Sequence, residues 1–369
     1  MIALLKRSVD QLMGRGEAAI AVPPMDGPLK PNHLIDNAEV VAELEDGSDL
    51  ASDGERIWVA EGHRLTRFLP HGERSVVAEF EGPLTAIARL ADGTMAVAVS
   101  GGDLQFVGRS RWRVGRREVG GRAMDCITAM APMRDGSLVV TDSSGSLPPQ
   151  EWARDLMQLG ESGRICRITR DGAQDAELAT RLRYPFGACE VNGDVWFSES
   201  WAHRVAKLQR GSGQTRVATV LDRLPAYPSR MSVASGGGTW LTLFAARRRL
   251  VELVLREDEY RRRMLAEVDP RYWVAPMLSS GRSYMEPLQG GNVKTLGISK
   301  PWAPPRSYGL VVRLGSNGLP MYSLHSRADG HHHGIVAAVE AHEHLYMLAK
   351  GAGLLLRIEL GVLSQMAMA

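Results

Sequence analysis

One stretch constrains the fold of this chain more than any other: Tyr184-Pro-Phe-Gly-Ala-Cys-Glu-Val-Asn-Gly-Asp-Val-Trp-Phe-Ser-Glu-Ser-Trp-Ala-His-Arg-Val-Ala-Lys-Leu208. Residues 188–191 form a first short run. Asn192-Gly193 follows, and both residue types tolerate positive φ cheaply, as a tight two-residue hairpin turn requires. Val195-Trp196-Phe197 is β-branched and aromatic, which reads as a second strand. Ser198 to Ala202 makes a polar turn, and His203 to Leu208 alternates as a third strand. Arg216 to Leu221 supplies a fourth after the Gly211-Ser-Gly213 break. Four antiparallel strands in about forty residues is the unit of a β-propeller.

The unit recurs along the chain. A first blade runs from Asp49 to Phe80 with its turn at Asp53-Gly54. A second runs from Leu84 to Val119 with Asp92-Gly93, and a third starts at Ile127 with Asp135-Gly136 and a long loop over 147–161. The stretch above is the fourth. The fifth has Met231 to Ala234 and Trp240 to Phe244, is interrupted, and resumes at Gly309 to Leu314 and Met321 to His325. The sixth has only three strands, Ile335 to Val339, Leu345 to Ala349 and Leu354 to Leu360, whereas a lone strand, Val40 to Leu44, precedes the first blade. That spare strand completes the sixth blade, which joins the chain ends in one sheet and removes an exposed edge. The expected fold is therefore all-β, a six-bladed β-propeller over 38–369 behind an N-terminal arm over 1–37 that opens with a short amphipathic helix. A closed repeat accommodates 369 residues as one unit.

The interruption in blade five, 247–307, is the largest irregularity. Its first part has helical spacing, with Leu250, Leu253, Val254, Tyr260, Met264 and Leu265 on one face. Its second part is rich in Gly, Pro and Ser, with Pro301-Trp-Ala-Pro-Pro305 extended. A long insertion at a propeller rim is a cap over a binding surface, a protein contact or a linker.

Net charge is +2. The arginine clusters at 109–117, 247–249 and 261–263 are not interleaved with aromatics as a stacking platform is, so no nucleic-acid partner is expected. Cys126, Cys166 and Cys189 are odd in number and lack metal-ligand spacing, which reads as buried free thiols in a reducing compartment. No run approaches the ~20 apolar residues of a membrane span. The N-terminus turns polar at Lys6-Arg7 without a long apolar region. The expectation is a cytoplasmic protein with no membrane span.

Six motifs then carry a resemblance: Thr141-Asp-Ser-Ser144, Glu151-Trp-Ala-Arg-Asp-Leu-Met157 with Gly163-Arg164, Tyr184-Pro-Phe-Gly187, Glu199-Ser-Trp-Ala-His-Arg204, Leu224-Pro-Ala-Tyr-Pro228 and Gly309-Leu-Val-Val-Arg-Leu314. In order and spacing they resemble the strictosidine synthase-like family. That family is a branch of the calcium-dependent propeller hydrolases, with gluconolactonases and paraoxonases. The resemblance implies a site in the mouth of the central channel. It also implies a calcium ion held there by oxygen ligands near the starts of the inner strands. At the matching positions this chain has Ser48-Asp49, Thr128, Phe186 and Ser229-Arg230. Carboxylates and amides are lost and a guanidinium is gained, which repels a dication. No metal or cofactor is expected, and Asp49 is free to pair with Arg230. The Glu that the resemblance implies for Pictet–Spengler condensation falls at Val336, with Glu340 four residues on, so strictosidine synthase activity is not expected.

The chemistry that remains is modest. His331-His-His333 opens the sixth inner strand. His333, with Asp49, is the candidate catalytic pair for ester or lactone hydrolysis; the alternative is a hydrogen-bonded loop histidine. Asp142-Ser143-Ser144 has no Gly-x-Ser-x-Gly elbow around it and reads as a turn. Glu199 either serves the site or pairs with Arg204, and Trp201, Tyr227 and Phe186 either line a pocket or pack between blades. The candidate pocket is thus Ser48, Thr128, Phe186, Ser229, Arg230, Glu199 and Tyr227. Three functions are compatible with it. The first is a hydrolase of esters or lactones working without the usual calcium. The second is a non-catalytic propeller that binds a small molecule in the channel or a protein through 247–307. A condensing enzyme ranks behind both.

Overall fold

The computed structural model describes residues 22–69, 73–109, 111–210, 215–281, 283, 285–287, 294–295, 298–299 and 306–366. The expected N-terminal helix, the break at Gly211–Gly213 and the extended Pro301–Pro305 lie outside them.

Six four-stranded antiparallel sheets form the body. Their inner strands, in blade order, are Gly47–Ser52, Leu84–Arg89, Ile127–Pro132, Pro185–Val191, Ala226–Val233 and Ile335–Ala341. Each inner strand touches the next, and the sixth touches the first, so the ring is closed. The closure is the expected one. Glu39–Glu43 pairs antiparallel with Leu354–Glu359 as the outermost strand of blade six, and Glu39 accepts hydrogen bonds of 2.7 and 2.8 Å from Arg357.

Local chemistry explains the hairpins. At Asn192-Gly193 φ is 53° and 86°, the left-handed pair that Asn and Gly adopt at least cost. The strands are apolar on both faces because each blade is covered by its neighbours. Trp58, Leu65, Leu84 and Val97 fill the seam between blades one and two, and Trp240, Val311, Leu324 and Met347 the seam between five and six. Burying each such side chain stabilises by about 1.5–3 kcal/mol.

The insertion is partly helical as expected, but the expected single face over residues 250–268 needs correction. These residues form α2 (Arg249–Val254) and α3 (Asp258–Glu267), after α1 (Trp152–Met157) in the blade-three loop. The break between α2 and α3 turns the helical face. Val251, Val254, Arg261 and Met264 are buried, whereas Leu250, Leu253 and Tyr260 are exposed. After the last strand comes a helix, α4 (Leu360–Met366), and Leu363 packs under blade six.

Candidate functional site

Every inner strand breaks register with its neighbour near its start. The unpaired positions are Ser48, Thr85, Thr128, Phe186-Gly187, Ser229-Arg230 and Val336. A bulge inserts an extra residue and re-aims a side chain. Repeated six times around a ring, it points one side chain per blade into the channel. Ser48, Thr85, Thr128, Phe186, Arg230 and Val336 all line a cavity of about 230 Å³ at the channel mouth.

Arg230 dominates this wall. Its Nε lies 2.9 Å from Asp49 Oδ1. That N–H is off the line of a hydrogen bond, so the contact is a Coulombic pair. Nη2 donates to Thr85 O at 2.8 Å, Nη1 reaches Val336 O at 3.5 Å, and the guanidinium carbon sits 5.1 Å from the Phe186 ring centre. Asp49 in turn accepts from the backbone N–H groups of Leu50 at 2.8 Å and Ile87 at 2.9 Å. Burial pushes the Asp49 carboxyl up to about 6, against the opposing pull of Arg230 and the two N–H donors. Burial also lowers the Arg230 guanidinium.

The rest of the wall is aromatic. Trp152, Tyr184, Phe186 and Phe244 face the cavity. Behind them Trp201 packs on Tyr184 with centroids 4.5 Å apart, and Tyr227 on Phe244 at 5.8 Å. The roof comes from two excursions. Trp152 belongs to α1, and Leu278 is brought in by the blade-five insertion. The two are tied together: Arg261 of α3 donates to Met157 O at 2.6 Å, and the Arg154 guanidinium stacks 5.1 Å over the Trp273 ring. At the rim Lys350 Nζ bonds Asp46 at 2.6 Å.

The structure sorts the candidate residues. Ser48, Thr128, Phe186 and Arg230 are in the wall. Asp49 stands behind it, held by Arg230. Ser229 is fully buried and donates to Thr242 O at 3.1 Å. Tyr227 is the second layer of the aromatic stack. Glu199 is spent on Arg204, at 2.6 Å, and on the Arg183 N–H, at 2.7 Å. His333 is outside the wall too: Nδ1 is 2.7 Å from Ser307 Oγ, and Nε2 donates to Arg327 O at 2.7 Å. Burial lowers its pKa. Glu340 is committed to Trp240 Nε1 at 2.5 Å and Ser235 N at 2.8 Å, away from the channel.

These residues do not fit a calcium ion. Among the described residues the carboxylates at the cavity are each paired with a cation, Asp49 with Arg230 and Asp46 with Lys350, and the bulge positions offer hydroxyls, a phenyl ring and an isopropyl group, where a hard dication needs 6–8 oxygen ligands. Among the described residues no group of three or more His, Cys, Asp or Glu is placed to hold a metal.

No protein-family profile matches the chain. Over 232 residues it is 25% identical to the adipocyte plasma membrane-associated protein of Salmo salar, a match covering 61% of this chain and 49% of that one. The match thus spans about half the length of the curated relative. That similarity fits the resemblance to the strictosidine synthase-like family. Solved structures agree on the fold. A gluconolactonase of Xanthomonas campestris superposes with a TM-score of 0.54 over 92% of this chain and 97% of that one, at 12% identity. Regucalcin of Agrobacterium tumefaciens, a calcium-binding protein, gives 0.52 over 87% and 92%, at 11% identity. At such identities the likeness is one of architecture.

Several residues of the propeller's wall escaped the sequence reading. Thr85 had a signal: Leu84-Thr-Ala-Ile87 repeats the pattern of Ile127-Thr-Ala-Met130. Trp152 and Lys350 had none, because their places depend on how the segments outside the strands cross the mouth, and Phe244 was read only as part of a strand.

Proposed function

We propose that this propeller binds a small, largely apolar molecule in its channel mouth, without calcium, under the roof made by α1 and the blade-five insertion. The observation that carries this reading is the cavity itself: four aromatic rings and one buried guanidinium around about 230 Å³. Apolar walls with a few placed polar groups are the usual composition of a small-molecule site. The experiment is a panel of small aromatic and aliphatic compounds titrated against tryptophan emission and thermal stability, with chelator present. Saturable binding lost in Trp152→Ala supports the reading. A panel that moves neither signal defeats it.

Hydrolysis of esters or lactones is the second reading. It is favoured by Arg230, whose N–H groups are donors for a developing oxyanion. A base is the missing part, since both His333 nitrogens are engaged and Asp49 is tied to three partners. Turnover of aryl esters or lactones that survives chelator and disappears in Arg230→Lys would establish it. A cytoplasmic setting remains part of the proposal. It is supported by three buried free thiols, of which burial pushes Cys166 and Cys189 up to about 12.

A further inference from the structure

We propose that Arg230 makes the channel selective for an uncharged ligand carrying a hydrogen-bond-accepting oxygen, and that a carboxylate of the same shape is rejected. This rests on the reading that the cavity binds a small molecule.

The donor count comes first. A guanidinium has five N–H groups in a fixed fork. The Nε–H sits beside Asp49 without a hydrogen bond to it, one Nη2–H is given to Thr85 O and one Nη1–H to Val336 O. One N–H on each terminal nitrogen is left without an acceptor among the described residues. Phe186 covers the face of the group, so only the edge remains for a ligand, and Arg230 lies in the cavity wall. Neighbouring hydroxyls are committed: Ser48 donates to Leu84 O at 2.6 Å and Thr85 to Ala98 O at 3.4 Å.

The charge count comes second. Asp49 neutralises Arg230 at 2.9 Å, and Asp46 neutralises Lys350 at 2.6 Å. The site therefore has donors to offer but no unbalanced positive charge. An entering carboxylate would lose its hydration and become a third anion beside two paired cations. Burying an ion without a counter-charge is the most costly of polar burials. A neutral carbonyl or ether oxygen pays a much smaller dehydration cost and still receives charge-assisted hydrogen bonds. An arginine in a pocket is commonly read as an anion site; here its partner across the axis reverses that reading.

Three probes of one shape test it by calorimetry near neutral pH: 4-phenylbutan-2-one, 3-phenylpropanoate and 3-methylbutylbenzene. The ketone is expected to bind at least about tenfold more tightly than both others, the order expected of hydrogen bonds from a charged donor. In Arg230→Lys, which keeps the charge and loses the fork, the ketone's advantage over the hydrocarbon falls to about threefold or less. The wild-type comparison decides the matter should that variant fold poorly. A carboxylate that binds more tightly than the ketone overturns the inference and leaves the binding reading intact, as does a ketone no tighter than the hydrocarbon. Binding of none of the three removes the binding reading, and the inference with it.

Discussion

Arg230 of blade five and Asp49 of blade one meet across the channel, Nε 2.9 Å from Oδ1. Through its other contacts the same guanidinium reaches blade two at Thr85, blade six at Val336 and blade four at Phe186. One side chain thus bridges five sheets, at positions for which the resemblance implies a calcium ion. The bridge is an ion pair, and four predictions about it and the ring around it can be measured.

Removing one half of the pair strands the other. Asp49→Ala leaves a buried guanidinium without its counter-charge and two backbone N–H groups without an acceptor, a loss of about 3–5 kcal/mol. The double variant Asp49→Leu/Arg230→Met removes both charges and regains most of that. Urea unfolding of the single and double variants gives the coupling. A single variant within 1 kcal/mol of wild type, on the order of a surface change, contradicts the bridging role.

Acid works on the fold through groups of opposite sign. His325 is fully buried, with Nδ1 2.9 Å from the Tyr308 hydroxyl and Nε2 2.8 Å from the Ser323 hydroxyl, and burial pushes its pKa down to about 4. Below pH ~6.5 the unfolded chain takes a proton that the folded one refuses, so stability falls as pH drops from ~6.5 towards 4, by on the order of 3 kcal/mol. Burial also lowers His203 and His333, which adds to the fall. Asp49 opposes it. With its carboxyl raised to about 6, the folded state holds a proton that the unfolded state releases between pH ~4 and 6, so acidification stabilises. Asp49→Asn removes that compensation. Its urea midpoint should therefore fall more steeply than that of wild type between pH 7 and 5, a window set by these ordinary pKa values. Parallel curves would show that Asp49 does not titrate there.

The latch strand can be cut. A chain that begins at Glu45 lacks Glu39–Glu43, so the edge Leu354–Glu359 is left unpaired. Exposed edges recruit other chains. A lower melting temperature and concentration-dependent oligomers on size exclusion are expected. A monomer as stable as the full chain would mean that the ring holds without its latch.

Added calcium should leave the melting temperature where it was. A ligand at 100 times its Kd stabilises by about 2.7 kcal/mol, which a thermal scan detects readily. A calcium-dependent rise reversed by chelator would restore the metal that Phe186 and Arg230 displace.

The strands and the tight turns were legible in the sequence because each depends on neighbours in the chain, and the ring closure because the strands could be counted. Asn192-Gly193 selects its turn through allowed φ alone, and Val195-Trp196-Phe197 selects a strand through side-chain shape. The missing fourth strand of blade six and the spare one at Val40 were a matching pair. Motif positions also placed Ser48, Thr128, Phe186 and Arg230 in the channel. His333 shows where such reasoning stops. It stands two residues ahead of the sixth inner strand, yet its ring is turned to Ser307 and Arg327, and no local pattern encodes that choice.

What belongs to the chain by itself is the repeat, since hydrogen bonding and backbone freedom are settled within a few residues. What only the folded ring decided is the site. Bulges aim one side chain per blade inward, α1 and the insertion meet overhead, and Asp49 finds Arg230 across the axis. Those partners are brought together by closure of the ring, and the low dielectric they share there gives the pair its strength.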